Sequence, residues 1–117
     1  MPRPLAFTKS KRLTRPAEFK RVREQGKIAR GDLMSLAFLH EGNGMRAGFI
    51  TARAVGSAVM RNRVRRRLRE IVRKHQREVA PGVWLVTIAR PRAARATYEA
   101  LEHEWLRLAR RTSILTP

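Results

Sequence analysis

The stretch MRNRVRRRLRE, residues 60–70, constrains the chain more than any other. Val64, Leu68, Ile71 and His75 step by four, three and four, with Val72 beside them. That is the spacing of a helix with one stripe buried on a core. The remaining faces carry Arg61, Arg63, Arg65, Arg66, Arg67, Arg69, Arg73 and Lys74, relieved only in part by Glu70. Like-charged neighbours one turn apart, such as Arg61 and Arg65 or Arg66 and Arg69, together cost very roughly 1–3 kcal/mol. A merely solvated face mixes signs and uses Glu and Lys freely. This helix does not, so its cationic faces are expected to meet an anionic partner. A guanidinium fork grips two phosphate oxygens and stacks on bases, which an ammonium does not do. Asn62 is the neutral polar side chain of the run. Its amide both donates and accepts, which suits a base edge or a ribose 2′-OH, or else it simply faces water.

The whole chain shares the bias. Its 117 residues hold 27 Lys and Arg against 9 Asp and Glu, a formal charge of +18. Such a charge repels itself unless something anionic is near, most often nucleic acid and next an acidic membrane surface. The length suits one domain with a modest core. Without cysteine there is no disulfide, zinc knuckle or thiol nucleophile, which fits a cytoplasmic location. No apolar run approaches the ~18 residues of a bilayer span. The opening MPRPLAFTKSKRL has no apolar core of the kind a secretory signal needs.

Along the chain, residues 1–12 are expected to form a flexible basic arm and residues 13–112 a single domain. Thr14 offers an N-cap, Pro16 a first turn, and Glu18 a negative charge at the positive helix end. Phe19 and Val22 share a face of this short helix, which Gly26 stops. LMSLAFL at 33–39 predicts a strand with Met34, Leu36 and Phe38 on one side. GNG at 42–44 is a hairpin signal, and RAGFITA at 46–52 is the returning strand. A short extra strand falls near Ile28 to Arg30. The arginine helix is expected from about Ala58 to Glu78, where Pro81-Gly82 breaks it. VWLVTIA at 83–89 is apolar enough for a strand covered on both faces. Thr97 caps a last helix with Tyr98, Leu101, Trp105 and Leu108 on one face. The expected fold is α+β, with helices packed on one small mixed sheet.

A protein nuclease needs clustered carboxylates for metals or a histidine pair for acid–base work. Asp32 is the one aspartate, and His40, His75 and His103 fall on separate elements. Glu99 and His103 lie one turn apart, but no third ligand is evident. Glu99, Glu102 and Glu104 are expected to balance a helix N-terminus. No catalytic side chain and no metal ligand is assigned.

At AVMRNRVRRRLRE the chain resembles the bacterial ribonuclease P protein subunits. The match runs through Arg53, Gly56, Ala58, Val59, Arg61, Asn62, Arg63, Arg65 and Arg66. The likeness extends to Leu13 through Gly26 and to the closing IARPRAARATYEALEHEWLRLARR, so it covers nearly the whole chain. It implies an α-β-β-β-α-β-α order on a four-stranded sheet, similar to the second domain of a small-subunit ribosomal protein. It also implies a left-handed β-α-β crossover, against the general rule.

The implied role is that of a non-catalytic subunit that binds a large catalytic RNA and precursor tRNA, with one copy per catalytic RNA. That RNA, with Mg2+, removes the 5′ leader by hydrolysing a phosphodiester. The implied RNA-binding surface is Arg61, Asn62, Arg63, Arg65, Arg66 and Arg69. The implied leader cleft is Phe19, Val22, Arg53 and Phe38. Arg23, Ala37 and Ala54 depart from the family pattern of aromatic and basic residues, which points to a cleft relying more on charge than on stacking. A small ribosomal or other structural RNA-binding protein, a DNA-binding module and a basic membrane-surface helix remain alternatives for the charge alone.

Overall fold

The computed structural model describes residues 11–42 and 44–116. The arm expected over 1–12 therefore lies outside the described residues, apart from Lys11 and Arg12. The elements are α1 (Pro16–Gln25), β1 (Lys27–Arg30), β2 (Met34–His40), β3 (Arg46–Thr51), α2 (Ala58–His75), β4 (Val83–Ala89) and α3 (Tyr98–Arg111). Short 3-10 turns occupy Arg53–Val55, Gln76–Glu78 and Pro91–Arg95. This is the expected α+β class and element order, including the short strand near Ile28.

The strands form one mixed sheet in the order β1-β2-β4-β3. β4 runs antiparallel to β2 and parallel to β3. The hairpin expected between β2 and β3 is therefore split, because β4 lies between them. Asn43, at the centre of that turn, lies outside the described residues. The physical reason lies in β4 itself. Val83, Leu85 and Ala89 are buried towards α2 and α3, and Val86 is buried towards α1. A strand apolar on both sides belongs in the middle of a covered sheet. Its approach is close: a Cβ on Gly82 (φ +84°) would sit 2.8 Å from the Gly42 carbonyl oxygen, so the turn needs glycine.

The two faces of the sheet bury separate clusters. On one, α2 and α3 cover Met34, Leu36, Phe38, Ala47, Leu85 and Ala89. On the other, α1 covers Ala37 and Val86 with Leu13 and Val22. Beyond the span 13–112, Arg12 bridges Ala47 and Leu115 bridges Val79.

Helix ends follow local chemistry with two changes from expectation. Ser57 and Thr97 cap α2 and α3, each accepting a backbone N–H from three residues on. At α1 the N-cap position is Arg15, not Thr14. There the Glu18 carboxylate turns back to accept the N–H groups of Thr14 and Arg15. α2 ends at His75, and Gln76–Glu78 continue as a 3-10 turn.

Glu104 corrects a further expectation. It does not balance a helix N-terminus. Its buried carboxylate accepts the N–H groups of Leu33 (2.6 Å) and Met34 (3.1 Å), latching α3 onto the β1–β2 turn. Removing that acceptor leaves two donors without a partner, so Glu104→Ala should destabilise the fold by about 2–4 kcal/mol. Urea unfolding followed by circular dichroism measures this, and a change under about 0.5 kcal/mol, as typical for surface sites, would contradict the latch.

Candidate nucleic-acid interface

The buried stripe of α2 is Val64, Leu68, Ile71 and Val72, each at most 1% exposed. It fixes which arginines face outward. Asn62, Arg63, Arg66 and Arg69 are exposed, while Arg61 and Arg65 are half-buried. Among the described residues no ion pair engages Arg61, Arg63, Arg65, Arg66 or Arg69. Some of their donors meet neutral oxygens instead. Arg63 donates to the Ala94 carbonyl (3.4 Å), and Arg67 donates to that of Ala96 (3.1 Å), seating the Pro91–Arg95 turn against α2. Arg65 donates to Asn62 Oδ1 (3.0 Å) and Thr51 Oγ1 (2.6 Å).

The C-terminal end of the same helix is different. Arg73 pairs with Glu70, and Lys74 pairs with Glu102 at 2.9 Å. His75, expected in the apolar stripe, is a half-buried clamp. Its Nδ1 meets Glu78, its Nε2 meets Glu102 at 2.9 Å, and its ring stacks on Trp105. Hydrogen bonds from Lys74 and His75, against the opposing effect of burial, hold the Glu102 carboxyl below its ordinary range. The hydrogen bond from Arg73, again against burial, does the same for Glu70. The acids are thus spent where α2 docks on α3, and the N-terminal part of the helix keeps its charge.

The four expected cleft residues separate. Phe19 is half-buried on the α1 face, and its ring lies on Gly48, where a Cβ would come within 2.5 Å of Cε1. Arg53 is exposed in the 3-10 turn after β3. Val22 is fully buried between α1 and the sheet. Phe38 points to the opposite face, 8% exposed in the core under α2 and α3. Strand alternation explains this, since Met34, Leu36 and Phe38 share one face while Ala37 and Leu39 face α1.

Sequence patterning does not reveal the cross-strand row Arg30, Ser35, Ile88 and Ile50. Arg30 is exposed, and the other three are half-buried. This row lies on the α1 face, next along the strands to the row Ile28, Ala37, Val86 and Gly48. It cannot be assembled from sequence without knowing that β4 separates β2 from β3.

A second cluster sets α1 over this face. Arg46 lies 5.0 Å over the Trp84 ring, donates to the Arg12 carbonyl (2.8 Å) and pairs with Glu18. Burial raises the Glu18 carboxyl. The N–H bonds from Arg15 and Thr14 and the Arg46 guanidinium outweigh it and hold that carboxyl below its ordinary range.

Among the described residues no three His, Cys, Asp or Glu side chains come together as a metal-ion cage. No helix among them is long and apolar enough to cross a membrane.

Fold and surface define a small, strongly basic α+β protein with an arginine-rich helix whose N-terminal part makes no ion pair among the described residues. The ribonuclease P family model matches residues 7–113, and the chain belongs to that family. It is 38% identical over 110 residues to the ribonuclease P protein component of Chloroflexus aggregans, covering 92% of this chain and 82% of the relative. It is 40% identical over 106 residues to that of Roseiflexus castenholzii, covering 89% and 87%. The fold matches the RNase P protein of Staphylococcus aureus (TM-score 0.85, 20% identity, 92% and 100% of the two chains). It also matches that of Thermotoga maritima (TM-score 0.78, 26% identity, 86% and 96%).

The two lowered carboxyls predict a pH dependence. Unfolded, Glu18 and Glu102 titrate near the ordinary value of 4.5; folded, both titrate lower. Their contribution is therefore complete above pH 4.5 and is lost as the pH falls through the folded values. Denaturation midpoints should drop below pH 4.5, and Glu18→Gln/Glu102→Gln should be less stable at neutral pH with a shallower acid decline. An acid decline as steep as that of the parent protein would contradict the assignment.

Proposed function

We propose that this chain is the protein subunit of ribonuclease P. In this reading it docks on the catalytic RNA through Arg61, Asn62, Arg63, Arg66 and Arg69 of α2, with Arg65 behind them. It holds the 5′ leader of precursor tRNA along the α1 face of the sheet, where Phe19, Arg53 and the row Arg30, Ser35, Ile88 and Ile50 are accessible. One copy serves each RNA, and the particle works in the cytoplasm. The leader is removed by hydrolysis of a phosphodiester on the RNA subunit, which also holds the Mg2+. The role of this chain is binding and orientation, with no side chain assigned to bond cleavage.

The observation that carries the reading is the separation of charge on α2. Arginines that make no ion pair among the described residues occupy the N-terminal part, and the paired Arg73 and Lys74 sit at the C-terminal end, where the helix meets α3. Like charges left uncompensated at a cost in stability fit a surface neutralised by phosphates. The family match selects ribonuclease P among the RNA-binding alternatives.

Cleavage of precursor tRNA by the catalytic RNA at low Mg2+, with and without the chain, tests the assignment. The chain should stimulate cleavage, while the chain alone should not cleave. Arg61→Ala/Arg66→Ala should stay folded and bind the RNA at least about tenfold more weakly, since one hydrogen bond to a charged group is worth about 1.5–3 kcal/mol. Unchanged affinity would overturn the docking surface.

Leader affinity should fall with salt at about −0.7 per phosphate neutralised on a log–log plot. Because the Phe19 ring already rests on Gly48, Phe19→Ala should cost no more than the low end of the ~1–3 kcal/mol expected for one stacked base. A shallow salt slope together with a large Phe19→Ala loss would contradict a charge-dominated cleft.

A further inference from the structure

Arg65 differs from the other arginines of the docking face. The residue is half-buried, and each terminal nitrogen donates one N–H within the protein, one to Asn62 Oδ1 at 3.0 Å and one to Thr51 Oγ1 at 2.6 Å. A guanidinium has donors and no acceptor, so the atom Asn62 turns towards it must be the carbonyl oxygen. The amide orientation is therefore dictated by chemistry. The Asn62 side chain is exposed, and among the described residues no acceptor engages its Nδ2. Asn62, Arg65, Arg66 and Arg69 line one open hollow of about 230 Å3. The second nitrogen of Arg65 reaches Thr51, which is the last residue of β3 and is nine-tenths buried. Two residues further on is Arg53, on the accessible turn.

We infer that Arg65 is a positioning residue: it holds Asn62 with both amide N–H groups outward, so that this point on α2 takes a hydrogen-bond acceptor of folded RNA, and it braces that orientation on Thr51 at the end of β3. The inference rests on the reading of α2 as the RNA-docking face and specifies what that face presents. Where a free amide could turn either its oxygen or its nitrogen outward, this one turns its N–H groups outward, towards acceptors such as a base carbonyl, a ring nitrogen, a phosphate oxygen or a 2′-OH oxygen. Lysine at position 65 keeps the charge but offers a compact point donor without the planar fork, so it cannot hold both oxygens in the same geometry.

The test is a double-mutant cycle on affinity for the cognate catalytic RNA at fixed salt, with circular dichroism confirming that each variant folds. Asn62→Ala and Arg65→Lys should each weaken binding about tenfold, the scale of one hydrogen bond to a charged or strongly polar partner. The combined variant should bind no more weakly than Asn62→Ala alone, because Arg65 acts through Asn62. Thr51→Val should weaken binding in the parent protein but not in the Asn62→Ala background, and Thr51→Ser, which keeps the hydroxyl, should restore it. Losses that multiply towards about a hundredfold would make Arg65 a separate phosphate contact and overturn the inference. So would an Arg65→Lys variant that binds like the parent, or an Asn62→Ala variant that does so. Arg61→Ala/Arg66→Ala, measured alongside, separates the two levels. If the cycle fails while this variant still loses affinity, the positioning role alone falls and the docking face stands; if this variant keeps its affinity, both fall.

Discussion

Val64, Leu68, Ile71 and Val72 are almost completely withdrawn from water against the sheet and α3, and the rest of the structure depends on that burial. Each such side chain stabilises by about 1.5–3 kcal/mol. The repulsion among neighbouring arginines on the same helix is smaller in total, roughly 1–3 kcal/mol. Packing therefore wins, and the domain carries a ridge of like charge without losing the helix. At the C-terminal end of α2, Glu70, Glu78 and Glu102 join the packing by pairing with Arg73, Lys74 and His75. The helix thus has a neutralised end that builds the protein and an end that keeps its charge.

The α1 face of the sheet depends on a different device. α1 is too short to be stable alone, and it stays on the sheet because Val22 is buried and Glu18 is tied to Arg46. Arg46 in turn lies on Trp84 and bonds the Arg12 carbonyl, so one guanidinium joins β3, β4 and the segment leading into α1. α1 and α2 occupy opposite faces of the sheet and approach each other around the β3 edge. Arg65 and Arg69 reach this edge and line a small hollow with Arg12, Thr14 and Phe19. The two regions are therefore continuous around the β3 edge.

Much of this architecture is legible in the order of the amino acids alone. The three- and four-residue spacing of Val64, Leu68 and Ile71 places the dry side of α2, and with it the exposed arginines. Thr97 marks a helix start by short-range chemistry, which a sequence carries openly. Strand neighbours are not legible in this way. The turn at 42–44 suggests that β2 and β3 pair, but two-sided burial of β4 decides the order, and that depends on three elements at once. The α1 face is obscured for the same reason: Phe38 is an aromatic on β2 but on the face away from α1, and Ile50 and Ile88 become neighbours only through β4. Glu104 and His75 show a further limit. A buried carboxylate latching a distant turn, and a histidine tied to Glu102 on another helix, are long-range pairings that helical periodicity does not encode.

The division of α2 into a charged and a neutralised end is tested most directly by the salt dependence of catalytic-RNA binding in two neutralised variants. Arg61→Gln/Arg66→Gln/Arg69→Gln should make the log–log slope shallower by roughly 2–3, at about 0.7–0.9 for each phosphate no longer neutralised. Arg73→Gln/Lys74→Gln should leave the slope of the parent protein intact while lowering its resistance to urea. Equal changes of slope in both variants, or none in the first, would contradict the account.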